Sequence, residues 1–237
     1  MKPLAGLRIL VTRPSDRASK LAGPLRKLGA IVQNHAAIEI LPPRSWKAVD
    51  REIGRLERYD AIVFTSATAV DVFFRRLRGR RPLPSAGAVG PATAAALRDR
   101  GVRPTWIARR FTAAALGKML RGRVLHPASQ PRSPDLAREA RKRGATVVEP
   151  VVYRIVRARS AGPPPAADLV TFASAQTVRH YAEVAGPGRG AACACIGPVT
   201  ARAAREAGFR VAVQPARYTI PDLVSAIVTW KRKRRNT

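Results

Sequence analysis

Hydroxyl side chains and glycines stand at four points where a predicted strand passes into a predicted helix. These residues are Thr65, Ser66, Gly90, Thr93, Ser174, Gly197 and Thr200. In a parallel α/β sheet such points lie at the carboxyl ends of strands, where free N–H groups and the helix dipole attract anions. We therefore predict that they bind carboxylates of a ligand. The alternative is that the hydroxyls only cap their own helices.

One phenol is the candidate for proton transfer. The sequence has no Gly-x-x-x-x-Gly-Lys loop, no Gly-x-Gly-x-x-Gly turn and no His-Glu-x-x-His helix, which disfavours phosphoryl transfer, dinucleotide chemistry and zinc hydrolysis. His35, His126 and His180 are scattered along the chain and are interpreted as structural or surface residues. The remaining chemistry is binding and orientation with one proton transfer, for which Tyr153 is the candidate. The alternative for Tyr153 is simple packing at a domain junction.

The charge of the chain points to an anionic partner. Lys and Arg number 44 against 15 Asp and Glu, which gives a net charge of +29. Nucleic acid is one partner of this kind, because basic surfaces neutralise phosphates and release counterions. A polycarboxylate substrate is another, because a cleft of one sign concentrates the opposite ion. Solvated charge without a partner, including the basic tail at 231–235, is the third interpretation.

The composition predicts a compact intracellular protein. Of the 237 residues 46% are hydrophobic, which excludes a disordered chain. Cys193 and Cys195 have no further His or Cys nearby to complete a tetrahedral metal site, so we predict buried reduced thiols. The first residues lack a secretory pattern, and no apolar run reaches the length of a membrane span. We therefore expect a cytoplasmic location, no membrane partner and no metal.

An internal repeat predicts the architecture. Asp60-Ala-Ile-Val-Phe-Thr-Ser66 is echoed by Asp168-Leu-Val-Thr-Phe-Ala-Ser174, and Ala88-Val-Gly-Pro-Ala-Thr93 by Cys195-Ile-Gly-Pro-Val-Thr200. After each Gly-Pro we predict a helix that ends at Gly101 or Gly208, because Pro suits the first helical position and Gly the left-handed stop. A weaker third pair predicts strands at 31–34 and 146–152.

Strands that alternate with helices of about ten residues predict an α/β protein with parallel sheets and two related halves. Two strand-like connectors, at about 38–43 and 151–157, would allow one half to be inserted into the other. The Pro-rich segment 160–165 is predicted to be an extended loop.

An ordered set of motifs resembles the uroporphyrinogen-III synthase family over nearly the whole chain. The motifs are Ile9-Leu-Val-Thr-Arg-Pro14, Phe64-Thr-Ser66 with Ala69-Val70, Val89-Gly-Pro-Ala-Thr-Ala94, Val152-Tyr-Arg154, Ile196-Gly-Pro-Val-Thr-Ala201 and Tyr218-Thr-Ile-Pro-Asp-Leu-Val224. No single motif is specific, whereas their order is. Ala173 departs from the family pattern, and so does the loop Ala128-Ser-Gln-Pro-Arg132.

The resemblance implies two similar α/β domains, joined by a two-stranded antiparallel connector, with a cleft between them. The first domain would comprise residues 1–37 with 155–237, and the inserted domain residues 38–154. We also expect a monomer that needs no cofactor.

The resemblance further implies that the substrate is hydroxymethylbilane, a linear tetrapyrrole with eight carboxylates, and that the product is uroporphyrinogen III. Tyr153 would assist departure of the substrate hydroxyl. The substrate carboxylates would be held by Arg13, Thr65, Ser66, Gly90, Thr93, Ser129, Arg132, Ser174, Gly197 and Thr200. The alternative is a nucleic-acid-binding or anion-binding regulatory protein of the same fold without turnover.

Overall fold

The computed structural model of the chain describes residues 2–13, 15–77, 79, 82–158, 163–186, 188 and 191–235. Pro14 of the first motif and residues 160–162 of the predicted loop lie outside this range. The chain divides into two compact units. Unit 1 contains residues 1–40 and 156–237, and unit 2 contains residues 41–155.

Unit 1 is built on a five-stranded sheet. Its elements are β1 (Arg8–Val11), α1 (Ser15–Lys27), β2 (Ile31–Asn34), β11 (Leu169–Phe172), α7 (Ala175–Ala185), β12 (Ala192–Cys195), α8 (Pro198–Glu206), β13 (Arg210–Val213) and α9 (Ile220–Arg235). The strands lie in the order β13-β12-β11-β1-β2 and all neighbouring pairs are parallel.

Unit 2 is built on a second five-stranded sheet. Its elements are α2 (Lys47–Ile53), a 3₁₀ turn (Leu56–Arg58), β4 (Ala61–Phe64), α3 (Ala67–Leu77), β5 (Ser85–Ala88), α4 (Pro91–Arg98), β6 (Trp106–Ile107), α5 (Ala113–Gly117), β7 (Arg123–Leu125), β8 (Ala128–Gln130), α6 (Asp135–Arg141) and β9 (Thr146–Val148). The order of the sheet is β6-β5-β4-β7-β9, and its pairs are again parallel.

The internal repeat has a structural counterpart in the two strand orders. The repeated sequences form β4 and β11 at the centre and β5 and β12 beside them, and the third, weaker pair forms β7 and β1 on the other side. Both Gly-Pro helices, α4 and α8, begin at their proline. Gly101 and Gly208 follow these helices with φ of 76° and 81°, the left-handed conformation predicted for both.

A separate three-stranded sheet contains both connectors, in the order β3-β10-β8, where β3 is Ile38–Leu41 and β10 is Val151–Arg157. The third strand, β8, was not expected from the sequence. The single strand predicted at 146–152 is wrong, because the chain forms β9 and β10 with Glu149 and Pro150 between them. Proline has no N–H to donate to a ladder, which accounts for the break.

Alternating side chains bury both faces of the unit 1 sheet, as a parallel sheet between helices requires. Ile9 and Val11 pack with α1 and α9, whereas Leu10 packs with Phe172 and the helices α7 and α8. Cys193 and Cys195 are free thiols with no exposed surface, which confirms the prediction for both. None of the helices described by the structure is long and apolar enough to span a membrane.

Candidate active site

The carboxyl end of β4 carries two adjacent hydroxyl residues, Thr65 and Ser66. The strand is buried along its whole length, and α3 begins directly after Ser66. The Ser66 hydroxyl oxygen accepts a hydrogen bond from the N–H of Ala69 at 3.0 Å, which caps the helix. Ser66 therefore caps α3, and its hydroxyl also has a second contact.

That second contact is with Tyr153, whose phenol oxygen lies 3.0 Å from the Ser66 hydroxyl oxygen. Tyr153 stands on β10, and its side chain is buried, with 5% of its surface exposed. Ser129 lies beside Tyr153 in the parallel ladder of β10 and β8, and its hydroxyl donates to the carbonyl of Pro131 at 2.8 Å. The structure thus brings three of the predicted site residues together.

Thr65 belongs to a second polar chain. Its hydroxyl oxygen lies 3.1 Å from Nε2 of His126, and Nδ1 of His126 lies 3.0 Å from a carboxylate oxygen of Glu149. The guanidinium of Arg132 lies 3.4 Å from the same carboxylate oxygen. Arg132, a predicted site residue, therefore joins the chain of contacts through Glu149.

Sheet order explains this chain of contacts. Thr65 directly follows β4, His126 directly follows β7, and Glu149 directly follows β9, and these three strands are neighbours in the sheet. The carboxyl ends of parallel neighbours meet at one edge, so the polar residues that follow them come into contact.

His126 is one of the residues that sequence reasoning missed. It is 2% exposed, so it is not a surface residue, and both of its ring nitrogens have polar neighbours. Glu149 was missed because the sequence predicted one strand through it. The sequence did carry a signal for both residues. His126 and Glu149 each come directly after a short apolar run, as Thr65 does after β4.

The charge state of Glu149 follows from its surroundings. The hydrogen bond from His126 holds the pKa of the Glu149 carboxyl below its ordinary value, and the positive charges of Arg132 and Arg141 act in the same direction. Partial burial opposes the shift without reversing it. Glu149 is therefore a carboxylate at neutral pH and only accepts hydrogen bonds.

The remaining predicted residue pair of unit 2 lies at the junction of β5 and α4. Gly90 precedes the helix in an extended conformation, and a β-carbon there would lie 3.3 Å from the Phe111 side chain. Thr93 is buried in the first turn, with 4% of its surface exposed. Phe111 is a third residue that the sequence did not single out.

The predicted residues of unit 1 follow adjacent strands of its sheet. Arg13 follows β1, Ser174 follows β11, and Gly197 and Thr200 lie at the junction of β12 and α8. Ser174 caps α7 by accepting from the N–H of Thr177 at 3.2 Å. Thr200 is buried, and Gly197 faces the ring of Tyr218 as Gly90 faces that of Phe111.

A protein-family model described as uroporphyrinogen-III synthase HemD matches residues 19–225, which is most of the chain. The chain belongs to the uroporphyrinogen-III synthase family. One relative is the uroporphyrinogen-III synthase of Synechococcus elongatus, which is 31% identical to this chain over 98% of each of the two chains. Porphyrin biosynthesis protein HemD of Ruminiclostridium josui is 34% identical over 43% of this chain and 21% of that protein.

Solved structures of the family share the fold. A mutant uroporphyrinogen III synthase of Thermus thermophilus superposes with a TM-score of 0.74 at 19% identity, over 98% of this chain and 100% of that chain. Uroporphyrinogen-III synthetase of Helicobacter pylori superposes with a TM-score of 0.60 at 14% identity, over 94% and 99%. The predicted α/β fold with parallel sheets flanked by helices is confirmed.

Proposed function

We propose that this chain converts hydroxymethylbilane to uroporphyrinogen III, with loss of one water molecule and inversion of the last pyrrole ring. Membership of the family supports the reaction. The observation that carries the assignment of the acid is the 3.0 Å contact between Ser66 and Tyr153 at the end of β4. It presents a phenol beside hydroxyl groups that suit a polycarboxylate substrate.

The first step needs a proton donor at the substrate hydroxymethyl group. Ser66 accepts from the N–H of Ala69, so its own hydrogen is free to be donated to the Tyr153 oxygen. The phenol hydrogen then points away from Ser66, towards the departing hydroxyl. As the C–O bond breaks, that hydroxyl takes the proton and leaves as water, while the pyrrole nitrogen supplies the electron pair and keeps its hydrogen, so the azafulvene forms as its N-protonated cation beside the Tyr153 phenolate.

The later steps consume the azafulvene and restore the acid. A substituted carbon of the last ring attacks the azafulvene, and the resulting spiro intermediate reopens and closes again with that ring inverted. The final ring loses a proton as it becomes aromatic, and the phenolate of Tyr153 is the base that recovers it. The hydrogen bond from Ser66 stabilises the phenolate in the interval.

Binding the substrate carboxylates is the role we propose for the other site residues. Thr65 and Arg132 in unit 2 offer a hydroxyl and a guanidinium, and Arg13 and Ser174 in unit 1 offer the same two groups. The linear substrate also closes without an enzyme to the uninverted isomer, so the conformation imposed by these contacts decides the product.

The test supplies hydroxymethylbilane to the purified chain and separates the oxidised products into type I and type III isomers. We expect predominantly type III from the parent and a rate lower by about a hundredfold from Tyr153→Phe. Tyr181→Phe removes a hydroxyl from an equally buried tyrosine of unit 1 and serves as the matched control. Type I product at the rate without enzyme would overturn the proposed function, and an unaltered rate in Tyr153→Phe would overturn the assignment of the acid.

We propose that the chain acts as a cytoplasmic monomer without a nucleic-acid partner. The net charge of +29 supports a monomer, because like charges repel on association. The two buried free thiols suit a reducing compartment.

Sedimentation at low and high salt tests the monomer, and titration with labelled duplex DNA tests the absence of a nucleic-acid partner. Limited proteolysis tests the predicted domain boundaries near residues 37 and 154.

A further inference from the structure

The internal repeat continues beyond the Gly-Pro helices. Arg110-Phe111-Thr112 and Arg217-Tyr218-Thr219 have the same order of a guanidinium, an aromatic ring and a hydroxyl, and each is followed by a leucine at the same spacing, Leu116 or Leu223. In both copies the threonine hydroxyl accepts a hydrogen bond from the backbone N–H three residues later and so caps the next helix, α5 or α9. Capping explains the threonines, but it does not explain the cation and the ring before them.

Both rings lie at the carboxyl edge of their sheet, beside a predicted site residue. Phe111 follows β6 and Tyr218 follows β13, and each of these strands is the neighbour of the strand that leads into a Gly-Pro helix. A β-carbon on Gly90 would lie 3.3 Å from the Phe111 side chain, and one on Gly197 would lie 3.2 Å from that of Tyr218. Each aromatic residue is half-buried, so part of its surface remains accessible at this edge.

The backbone of Phe111 indicates that the ring itself is required. Among the residues that the structure describes, Phe111 is the only one other than glycine with a left-handed backbone, at φ 49°. A bulky side chain rarely adopts this conformation, whereas Gly or Asn adopts it readily. The turn is closed by a hydrogen bond of 3.2 Å from the N–H of Phe111 to the carbonyl of Ala108, which needs no particular side chain. Strain of this kind is typical of residues that contact a ligand.

An exposed guanidinium precedes each ring, but the two copies differ in its surroundings. The guanidinium of Arg217 lies 2.9 Å from the carboxylate of Asp222, which neutralises part of its charge. The residue at the equivalent position of the other copy is Ala115, which has no charge. Arg110 therefore offers its positive charge to a ligand more fully than Arg217 does.

We propose that Phe111 and Arg110 form a subsite for one carboxylate-bearing pyrrole ring of the substrate, with Tyr218 and Arg217 as a weaker counterpart in unit 1. The inference rests on the proposed function for the identity of the ligand. A flat apolar ring beside a cation is complementary to a flat ring that carries carboxylates, and the linear tetrapyrrole consists of such rings. The hydroxyl groups and guanidiniums assigned above bind its carboxylates, whereas Phe111 supplies a surface for the ring.

The first experiment tests the contact without turnover. Uroporphyrinogen III, kept reduced by exclusion of air, is bound to isotopically labelled protein, and isotope-filtered NMR records nuclear Overhauser effects between the probe and the phenylalanine rings. We expect contacts from the Phe111 ring, whose signals are identified by their absence in Phe111→Leu. Phe74 is the internal control, because it is half-buried on α3 with its ring 5.8 Å from that of Phe73. Absence of contacts from Phe111 with a probe that binds would overturn the proposal.

The second experiment measures probe affinity and KM in variants of Phe111. Phe111→Leu should bind the probe about tenfold more weakly and raise KM to the same extent with kcat unchanged, whereas Phe111→Tyr keeps a ring and should stay within about twofold of the parent. Phe111→Asn suits the left-handed backbone, so it should lose at least as much affinity while the turn is retained. Phe74→Leu is the matched control. Parental affinity in both Phe111→Leu and Phe111→Asn would overturn the subsite.

The guanidinium is tested separately. Arg110→Gln should weaken probe affinity by about fivefold, because a charge-assisted contact with a carboxylate is lost. Arg103→Gln removes the same charge from an exposed position before β6 and is the matched control. Equal affinities in these two variants would contradict the role of Arg110.

Two outcomes separate failure of the subsite from failure of the proposed function. If the parent forms no type III isomer but the probe contacts Phe111, the proposed function fails and the subsite stands. If the parent forms type III isomer and Phe111→Leu binds the probe as the parent does, the subsite is wrong and the proposed function stands.

Discussion

The hydroxyl oxygen of Ser66 lies 3.0 Å from the phenol oxygen of Tyr153, although 87 positions separate the two residues in sequence. The same hydroxyl accepts from the N–H of Ala69 and starts α3. The start of the helix therefore fixes the serine, and the serine in turn fixes the phenol. Removing the Ser66 hydroxyl should affect both the stability and the rate, and the two effects can be measured separately.

Ser66→Ala should lower the free energy of unfolding by about 1 kcal/mol, because the cap of α3 is lost. It should also lower kcat by about tenfold, because the phenolate of Tyr153 loses one charge-assisted hydrogen bond. Urea unfolding and the isomer assay measure the two effects. Thr112→Ala provides the matched loss of a cap, at α5, where the Thr112 hydroxyl accepts from the N–H of Ala115 at 3.1 Å. If kcat is unchanged in Ser66→Ala, Ser66 caps the helix and has no role in the reaction.

The repeat made most of the two sheets predictable. Apolar runs that break at a hydroxyl or at Gly-Pro predict β4, β5, β11 and β12, because a strand buried on both faces has to be apolar throughout. β8 was not predictable in this way, since Ala128–Gln130 has three residues and no alternating pattern.

The contacts of His126 with Thr65 and with Glu149 could not be predicted from the sequence either. They depend on β4, β7 and β9 being neighbours, whereas the third repeat that forms β7 and β9 is weak in sequence. Tyr153 was found first as the candidate for proton transfer, and its partner Ser66 was found as a residue at a strand end; both also stand in family motifs. The sequence therefore singled out polar residues at strand ends, whereas the contacts between them depend on the order of the strands in the sheet.

The ion pair of Arg8 and Asp168 predicts an acid-dependent part of the stability of unit 1. Hydrogen bonds from the Arg8 side chain and then from its backbone N–H, the latter at 2.9 Å, hold the pKa of Asp168 below its ordinary value of 3.8. A depressed folded-state pKa contributes stability above the unfolded-state pKa, and that contribution is lost as pH falls through the folded-state value.

Asp168→Asn should therefore cost about 1 kcal/mol at pH 7, after allowance for solvent screening, and should show a smaller loss of stability below about pH 4. Urea unfolding between about pH 2.5 and 7 measures both effects. Glu206→Gln is the control, because its 3.7 Å ion pair with Arg202 is exposed and should contribute less than about 0.5 kcal/mol. Parallel pH curves for Asp168→Asn and the parent would contradict the prediction.

Gly90→Ala tests the contact between a strand-to-helix junction and an aromatic ring. The added β-carbon would lie 3.3 Å from Phe111, which is closer than ordinary van der Waals contact, whereas the φ of −176° suits any residue. We expect a loss of about 1 kcal/mol from displacement of the ring. Gly197→Ala should behave alike, with Tyr218 at 3.2 Å. Unchanged melting temperatures in both variants would mean that the rings yield without cost.

The net charge of +29 predicts that salt acts on the encounter with the substrate and not on the chemistry. Raising ionic strength from about 0.1 M to about 1 M shortens the Debye length from about 10 Å to about 3 Å, so attraction of an octacarboxylate is largely screened. We expect kcat/KM to fall by about tenfold and kcat to stay constant. A constant kcat/KM would exclude steering altogether.

The same measurement decides the role of the basic tail. Arg232 and Arg234 lie exposed near the end of α9, and the Arg234 guanidinium stacks over Trp230 at 5.0 Å. We expect the tail to contribute to steering. The double variant Arg232→Gln with Arg234→Gln should therefore show a shallower salt dependence of kcat/KM. Arg202→Gln with Arg179→Gln removes the same charge from exposed positions of α8 and α7 and is the matched control. Equal salt dependence of kcat/KM in the two double variants would show that attraction of the substrate depends on the total charge of the chain and not on the position of the tail.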